Sequence, residues 1–145
     1  MSNGIPAGFE PVTVSINPQS FEGHTGPLYH RTDAAGDTAI WGFRAEPRHC
    51  NPYGMVHGGM LTTLADTMMG SLVFKAIDGA PCATITLTTD FIGAARAGDW
   101  IEGRAELLRR GRSVCFLRSE LRAEGKLIMN ASGAWAIIGG GAASR

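Results

Sequence analysis

The chain has 145 residues and carries 13 lysine and arginine side chains against 13 aspartates and glutamates, so its formal net charge is zero. This length suits one domain with a single core and is too short for two. Because a balanced charge creates no general field that attracts polyanions, nucleic acid and acidic membrane surfaces are disfavoured as main partners.

The cellular compartment is predicted from the first residues and the cysteines. Residues 1–12 contain neither a basic leader nor an apolar stretch of the secretory type, and no apolar run approaches about 18 residues. The three cysteines, Cys50, Cys82 and Cys115, are odd in number and form no C-x-x-C pair, which is typical of reduced thiols. We therefore expect a soluble, non-secreted, cytoplasmic protein.

The first elements in chain order are an arm, a strand and a loop. Residues 1–37 are rich in Gly, Pro, Ser and Asn, which predicts an irregular N-terminal arm with room for a short helix. Residues 38–45 contain Ile40, Trp41 and Phe43 and are predicted to form the first strand. Residues 47–54 then form a loop that leads into a helix.

A long helix is predicted from Gly58 to about residue 77, a segment without proline. Its apolar residues recur at helical spacing, at Leu61, Leu64, Met68 and Leu72. Its opposite face is small or polar, with Gly59, Thr63, Asp66 and Gly70. Asp66 has no cation three or four residues away, and an unpaired carboxylate in a mostly apolar helix is costly to desolvate. The simplest alternative is a buried core helix with a chance acid on its wet side.

Four strands follow the helix. Residues 83–92 are rich in threonine and β-branched side chains, and Gly98-Asp99 opens a strand in which apolar and polar residues alternate. Glycine turns at residues 110–111 and 124–125 separate it from strands at 113–122 and 126–138, which makes an antiparallel meander. One apolar helix must then be buried by one antiparallel sheet, an α+β layout in which the sheet wraps around a central helix. The domain is predicted to cover residues 38–138, followed by a flexible tail at 139–145.

The start of the helix carries the strongest functional signal. Asn51, His57, Gly58 and Gly59 lie around a helix N-terminus, where free backbone N–H groups attract negative charge and glycine allows a substrate oxygen to approach. This is an oxyanion site in outline. His57 and Asp66 are separated by about 13 Å of helical rise and by about 180° around the axis, so they cannot act on one group from the same helix.

If both residues are catalytic, a twofold pair is predicted in which the helix start of one subunit faces Asp66 of the other. An acid placed against its own sheet, or a protein that stays a single protomer, would argue against this arrangement. Two other chemistries are disfavoured. His49, Cys50 and His57 lack metal-type spacing and a set of four ligands, and Cys50 with His57 as base lacks a third orienting group.

The segment Asn51-x-x-Gly54-x-x-His57-Gly58-Gly59 with the later Asp66 resembles the hotdog-fold thioesterases, in particular the acyl-coenzyme A thioesterases of the phenylacetate-degradation type. The resemblance covers approximately residues 38–138, and Gly98-Asp99 and Gly111-Arg112 fit its strand boundaries. It implies a hotdog fold and the hydrolysis of acyl-coenzyme A to free acid and coenzyme A. No separate cofactor and no metal is implied, because coenzyme A is part of the substrate.

The resemblance also implies residue roles. Asn51 and the Gly58 N–H would hold the thioester carbonyl, with His57 ordering the helix start and assisting there. Asp66 of the neighbouring chain would be general base or nucleophile, and Thr84, in preference to Thr86, would hold the attacking water. Substrate and coenzyme A contacts are expected at Gly59, Arg96, Arg109, Arg110, Gly111, Arg112 and Ser113, although three cations around a glycine turn are also typical of a solvated loop.

The family assembly implied is a homodimer with shared sites that pairs again into a homotetramer. Two other functions stay open: an acyl-coenzyme A binding or sensing module without turnover and, less favoured, an enoyl hydratase or dehydratase. The sequence leaves the acyl group unspecified. The predicted pocket lining is Met55, Met68, Met69 and Phe74, whose side chains suit aromatic or aliphatic groups.

Overall fold

A computed structural model describes residues 4–13 and 17–138. Seven strands occur in this part of the chain: β1 Phe9–Pro11, β2 Tyr29–Arg31, β3 Thr38–Arg44, β4 Cys82–Phe91, β5 Trp100–Arg110, β6 Val114–Ala123 and β7 Lys126–Ile137. Two α-helices, α1 Phe21–Thr25 and α2 Gly58–Ala76, and a short 3₁₀ turn Pro47–His49 complete it. The predicted tail at residues 139–145 lies outside the described residues.

The strands form one antiparallel sheet in the order β1-β2-β3-β5-β6-β7-β4, and α2 packs against its five longest strands. The predicted α+β layout of a sheet around one helix is confirmed. The helix and strands β4, β6 and β7 begin and end within one residue of the predicted bounds, and β5 extends into the turn predicted at residues 110–111. Within the described ranges, neither helix has the length and apolarity needed to cross a lipid bilayer.

Helix α2 is held in the sheet by its apolar side. Eight of its residues are buried: Met60, Leu61, Leu64, Ala65, Met68, Met69, Leu72 and Val73. Burying a side chain of this kind contributes about 1.5–3 kcal/mol. A methyl group added to Gly103 on β5 would lie 2.8 Å from the Met68 Cε atom, so a glycine there lets helix and sheet approach closely. This packing fixes the helix, and therefore its N-terminus, relative to the sheet.

The prediction of an irregular arm over residues 1–37 was wrong for two segments, β1 and β2, whereas the short helix that it allowed is present as α1. Strands β1 and β2 extend the sheet beyond β3, and α1 lies between them. The Phe9 ring packs edge-on against Trp100 with 5.0 Å between ring centroids, which ties the arm to β5. Strands of three residues are too short to show a hydrophobic period, and therefore composition alone suggested a loop.

Strand β4 forms one edge of the sheet and pairs on one side only, with β7. Most of its residues are exposed, among them the large apolar side chains of Ile85 and Phe91. The register with β7 shifts between Thr84 and Thr86, where one extra residue forms a β-bulge. Because a bulge reverses which face the following side chains point to, it affects the position of every residue along this strand.

Candidate active site

The N-terminus of α2 presents one free backbone donor. His57 is the N-cap, and its Nδ1 atom accepts a hydrogen bond of 2.8 Å from the Gly59 N–H. The N–H groups of Met60 and Leu61 both donate to the His57 carbonyl. Among the described residues, the Gly58 N–H therefore has no acceptor and remains available at the helix start, where the helix dipole favours negative charge.

Steric contacts explain why both residues at this helix start are glycines. A Cβ atom on Gly59 would lie 2.9 Å from the Nδ1 atom of His57, so a side chain there would disrupt the cap. A Cβ atom on Gly58 would lie 3.0 Å from the Phe91 ring. Phe91 thus covers the helix start from the end of β4, although its side chain is 55% exposed. Sequence analysis did not identify this neighbour.

Asn51 is oriented by the loop before the helix. Its Oδ1 atom accepts hydrogen bonds from the backbone N–H groups of Tyr53, at 2.9 Å, and Met55, at 3.1 Å. The backbone N–H of Asn51 donates to the Met55 carbonyl at 2.7 Å. Because the amide oxygen is occupied, the amide NH₂ is the group left to contact a ligand. The loop is joined to the helix start by the bond from the His57 N–H to the His49 carbonyl.

Among the residues that the structure describes, Asp66 has one hydrogen-bond partner, and it lies on β4. The Thr84 hydroxyl donates a 2.7 Å hydrogen bond to Asp66 Oδ1. Thr84 pairs with the buried Trp135, whereas Thr86, beyond the bulge, points to the outer face of the sheet. The bulge at Ile85 therefore directs Thr84 towards the helix. In the described part of the chain, Asp66 forms no ion pair.

The expectation that the acid would stay clear of its own sheet was wrong. Asp66 contacts the sheet of its own protomer through Thr84, because the bulge turns that hydroxyl inward. The contact is made at the edge strand, Asp66 is only half-buried, and its Oδ2 atom accepts no hydrogen bond from the described residues. The carboxylate therefore stays accessible to whatever covers β4.

Within one protomer the candidate residues form two groups. Asn51, His57 and Gly58 lie together at the helix start. Asp66 lies about two and a half turns further along α2, where Thr84 of β4 contacts it. The helical geometry that separates His57 from Asp66 is confirmed by the continuous helix Gly58–Ala76. A single chain therefore presents hydrogen-bond donors at one place and a carboxylate at another.

The predicted coenzyme A contacts are also divided. Arg96 lies beside the loop of Asn51, through an isolated bridge between Met55 and Arg96. The arginine hairpin lies at the other end of β5 and consists of Arg109, Arg110, Gly111, Arg112 and Ser113. An eleven-residue strand spans about 36 Å, so one protomer does not bring Arg96 and the hairpin together.

His49 has a structural role. It is buried, its Nδ1 atom accepts a 3.0 Å hydrogen bond from the Glu46 N–H, and its Nε2 atom lies 2.7 Å from the Thr25 carbonyl as a donor. Burial lowers the pKa of His49 below its ordinary value of 6.5. Residues 4–13 and 17–138 contain no group of three or more His, Cys, Asp or Glu side chains arranged to hold a metal ion.

All three cysteines are free thiols. Burial raises the pKa of Cys82 and Cys115, which keeps both protonated at neutral pH. The Cys50 thiol donates to the Glu46 carbonyl at 3.5 Å.

The predicted pocket lining was wrong for two methionines. Met68 and Met69 are fully buried in the core, and Phe74 lies near the other end of α2, beside Gly79. Packing in the core explains the apolar character of Met68 and Met69.

The family described as the thioesterase superfamily matches residues 53–129, which is more than half of the chain. The chain belongs to the thioesterase superfamily. The matched segment contains His57, Gly58, Asp66, Thr84 and the arginine hairpin, whereas Asn51 lies just before it. The resemblance to hotdog-fold thioesterases of the phenylacetate-degradation type is confirmed, and the protein is a thioesterase.

Three relatives illustrate this membership. A Pseudomonas aeruginosa protein named as an esterase is 34% identical over 130 residues, which cover 89% of this chain and 94% of that protein. Human acyl-coenzyme A thioesterase 13 is 30% identical over 97 residues, or 66% of this chain and 69% of the human one. A Ralstonia eutropha protein described as a candidate thioesterase related to phenylacetic acid degradation is 36% identical, with a TM-score of 0.72 over 80% of this chain and 88% of its own.

Proposed function

We propose that this thioesterase hydrolyses acyl-coenzyme A thioesters and that two subunits supply each active site. The proposal depends on one observation above all. The Asp66 carboxylate is held by Thr84 at the open edge of the sheet, away from the free Gly58 N–H of the same helix. The substrate class is supported by the human relative, which is named an acyl-coenzyme A thioesterase.

The donor half of the site binds the carbonyl oxygen of the thioester. Attack on that carbonyl places negative charge on its oxygen, and the Gly58 N–H and the Asn51 amide are the donors that stabilise this charge. His57 holds the helix start in place through its bond to the Gly59 N–H. A single donor of this kind contributes about 10²–10³-fold to kcat.

The acid half of the site activates water. Asp66 takes a proton from water as the water oxygen bonds to the carbonyl carbon. The carbon–sulfur bond then breaks, and the proton passes to the departing sulfur, which gives free acid and coenzyme A. Thr84 occupies Oδ1 and so leaves Oδ2 to face the water. In the alternative, the carboxylate attacks directly and releases the thiolate, and water then cleaves the resulting anhydride.

Helix geometry supports an arrangement in which two protomers combine these halves. Two antiparallel α2 helices that cross near Thr62 and Thr63 set Gly58 of each helix beside Asp66 of the other. Both threonine hydroxyls donate to carbonyls one turn back, at 2.9 and 2.8 Å, so the crossing leaves no hydroxyl donor unpaired. Gly59 on the same face permits a close approach. The unpaired edge of β4 would be covered in the same step.

The same pairing accounts for the divided arginines. Because Arg96 and the hairpin lie at opposite ends of β5, one coenzyme A contacts both only when they come from different subunits. Guanidinium groups bind phosphates through paired hydrogen bonds, which suits the nucleotide end of coenzyme A. We extend the proposal to a dimer of dimers in the cytoplasm, with no metal, separate cofactor, nucleic acid or membrane required.

Subunit mixing tests the shared site. We expect Asp66→Asn and Asn51→Ala each to be nearly inactive alone. A mixed dimer holds one intact site and one doubly altered site, so random exchange should restore about one quarter of the unaltered activity. Thiol release from acyl-coenzyme A measures the recovery, and mass spectrometry of differently tagged chains confirms the exchange.

Exchange without recovery would contradict the shared site. A protein that binds acyl-coenzyme A but releases no thiol, with or without Asp66, would instead be a binding module. Calorimetric binding to Asp66→Asn separates these results, since the proposal requires binding to survive when turnover is lost.

A further inference from the structure

A second feature beside the helix start is a cavity of about 350 Å³ between α1 and the first two turns of α2. Its lining includes Phe21, His24, Cys50, His57, Met60 and Thr63. Gly59, Thr63 and Asp66 follow one another at helical spacing, so the cavity opens beside the helix face that carries the acid. It therefore adjoins the place where the thioester carbonyl would bind.

The cations around this cavity are already paired. Arg48 bonds to the Glu46 carboxylate, with both distances 3.2 Å, and also donates to the carbonyls of His24 and Gly26. Both ring nitrogens of His49 are occupied as well. With Arg48 and His49 occupied, the lining offers a phosphate no free arginine or lysine side chain, which disfavours the nucleotide half of coenzyme A at this place.

The remaining lining suits an acyl group. Phe21, which is 60% exposed, and the buried Met60 both line the cavity. Aromatic and thioether groups offer apolar, polarisable surface. Ligand pockets usually measure about 300–1,000 Å³, and this cavity lies at the low end of that range. It accommodates the acyl part of a thioester but not the whole molecule.

The wall formed by α1 is fixed rather than loose. Three successive carbonyls at its C-terminal end, those of His24, Thr25 and Gly26, accept hydrogen bonds from Arg48 and His49. Side chains that satisfy the last carbonyls of a helix stabilise its end. Helix α1 therefore presents a fixed wall to a group that enters the cavity.

We propose that α1 determines acyl-group specificity, with Phe21 and His24 bounding the subsite for the acyl group. This inference rests on the proposed function, because it assumes that the thioester carbonyl lies at Gly58. Residues 21–25 lie outside the segment that the thioesterase superfamily matches, which is residues 53–129.

The kinetic test compares large and small acyl groups. Phe21→Ala should lower kcat/KM for benzoyl- and hexanoyl-coenzyme A about tenfold, the scale expected when a pocket loses apolar contact. The value for the shortest acyl-coenzyme A that the unaltered protein cleaves should stay within about twofold. His24→Ala should likewise lower kcat/KM for the larger acyl groups relative to that for the shortest one. Glu22→Ala, in the same helix but outside the cavity lining, is the matched control and should change neither value.

A binding test works without turnover. Cys50 lines the cavity, so its alkylation by iodoacetamide can be followed by mass spectrometry. S-hexyl-pantetheine, an uncleavable thioether without nucleotide phosphates, should slow alkylation of Cys50 severalfold in the unaltered protein and less in Phe21→Ala.

Equal loss for every acyl group, or no protection of Cys50, would overturn the inference while leaving thioester hydrolysis intact. Protection of Cys50 in a protein that cleaves no acyl-coenzyme A would instead keep the subsite and overturn the proposed function.

Discussion

The two halves of the candidate site are built in different ways. The donor half, at Asn51, His57 and Gly58, is formed within eight consecutive residues by backbone hydrogen bonds and a helix cap. The acid half joins Asp66 to Thr84 across eighteen positions of sequence and depends on a bulge in an edge strand. Local sequence therefore fixes the donors, whereas tertiary structure positions the acid.

The largest expected effect is on the acid half. Asp66→Asn removes the proton acceptor while keeping the side chain's size. We expect kcat to fall by about 10³-fold, which lies within the range for a lost general base. Stopped thiol-release assays measure this, with calorimetry as a check that acyl-coenzyme A still binds. A kcat within tenfold of the unaltered value would remove Asp66 from the mechanism.

On the donor half, Asn51→Asp is the sharpest change. The carboxylate can still accept from the N–H groups of Tyr53 and Met55, so the loop is retained, but the NH₂ donor is lost. We expect kcat to fall about 10²-fold while the thermal unfolding midpoint changes little. A large loss of stability with normal kcat would show that Asn51 acts only in the loop.

Thr84 distinguishes orientation of the acid from its chemistry. Thr84→Val keeps the shape but removes the hydroxyl that bonds Asp66, and kcat should fall about tenfold, since one hydrogen bond to a charged group is worth about 1.5–3 kcal/mol at most. Thr84→Ser should retain activity. Thr86→Val is the matched control on the outer face, and a comparable loss there would contradict the assigned register.

The smallest effect is expected from pH. Burial holds the folded pKa of His49 below 6.5, so the unfolded chain binds more protons as the pH falls below that value. The contribution of His49 to the free energy of unfolding is therefore complete above pH 6.5. It declines as the pH falls from 6.5 to the pKa of His49 in the folded protein. Urea unfolding from pH 7.5 downwards measures this decline. His49→Gln should flatten it, and an unchanged slope would assign the decline to other groups.

Much of the architecture could be predicted because its signals are periodic. The apolar spacing of α2 and the alternation along β5 each follow from a repeated contact with the core. The donor half was also predictable, since a helix cap and a loop amide depend on neighbours in sequence.

The remaining features depend on contacts that sequence spacing does not reveal. The bulge at Ile85 comes from a register shift with β7, and Phe91 reaches Gly58 only because β4 ends beside the helix start. Met68 and Met69 suggested a ligand pocket because apolar side chains look alike in core and pocket. The separation of Arg96 from the arginine hairpin became evident only once β5 was seen to run between them.

Strand β4 has a consequence for the handling of the protein. Its outward backbone groups and the side chains of Ile85 and Phe91 form a template onto which another strand can add. In dilute solution, a monomer would leave this edge strand exposed to solvent. Association would then protect solubility as well as turnover, and heat resistance would rise with concentration.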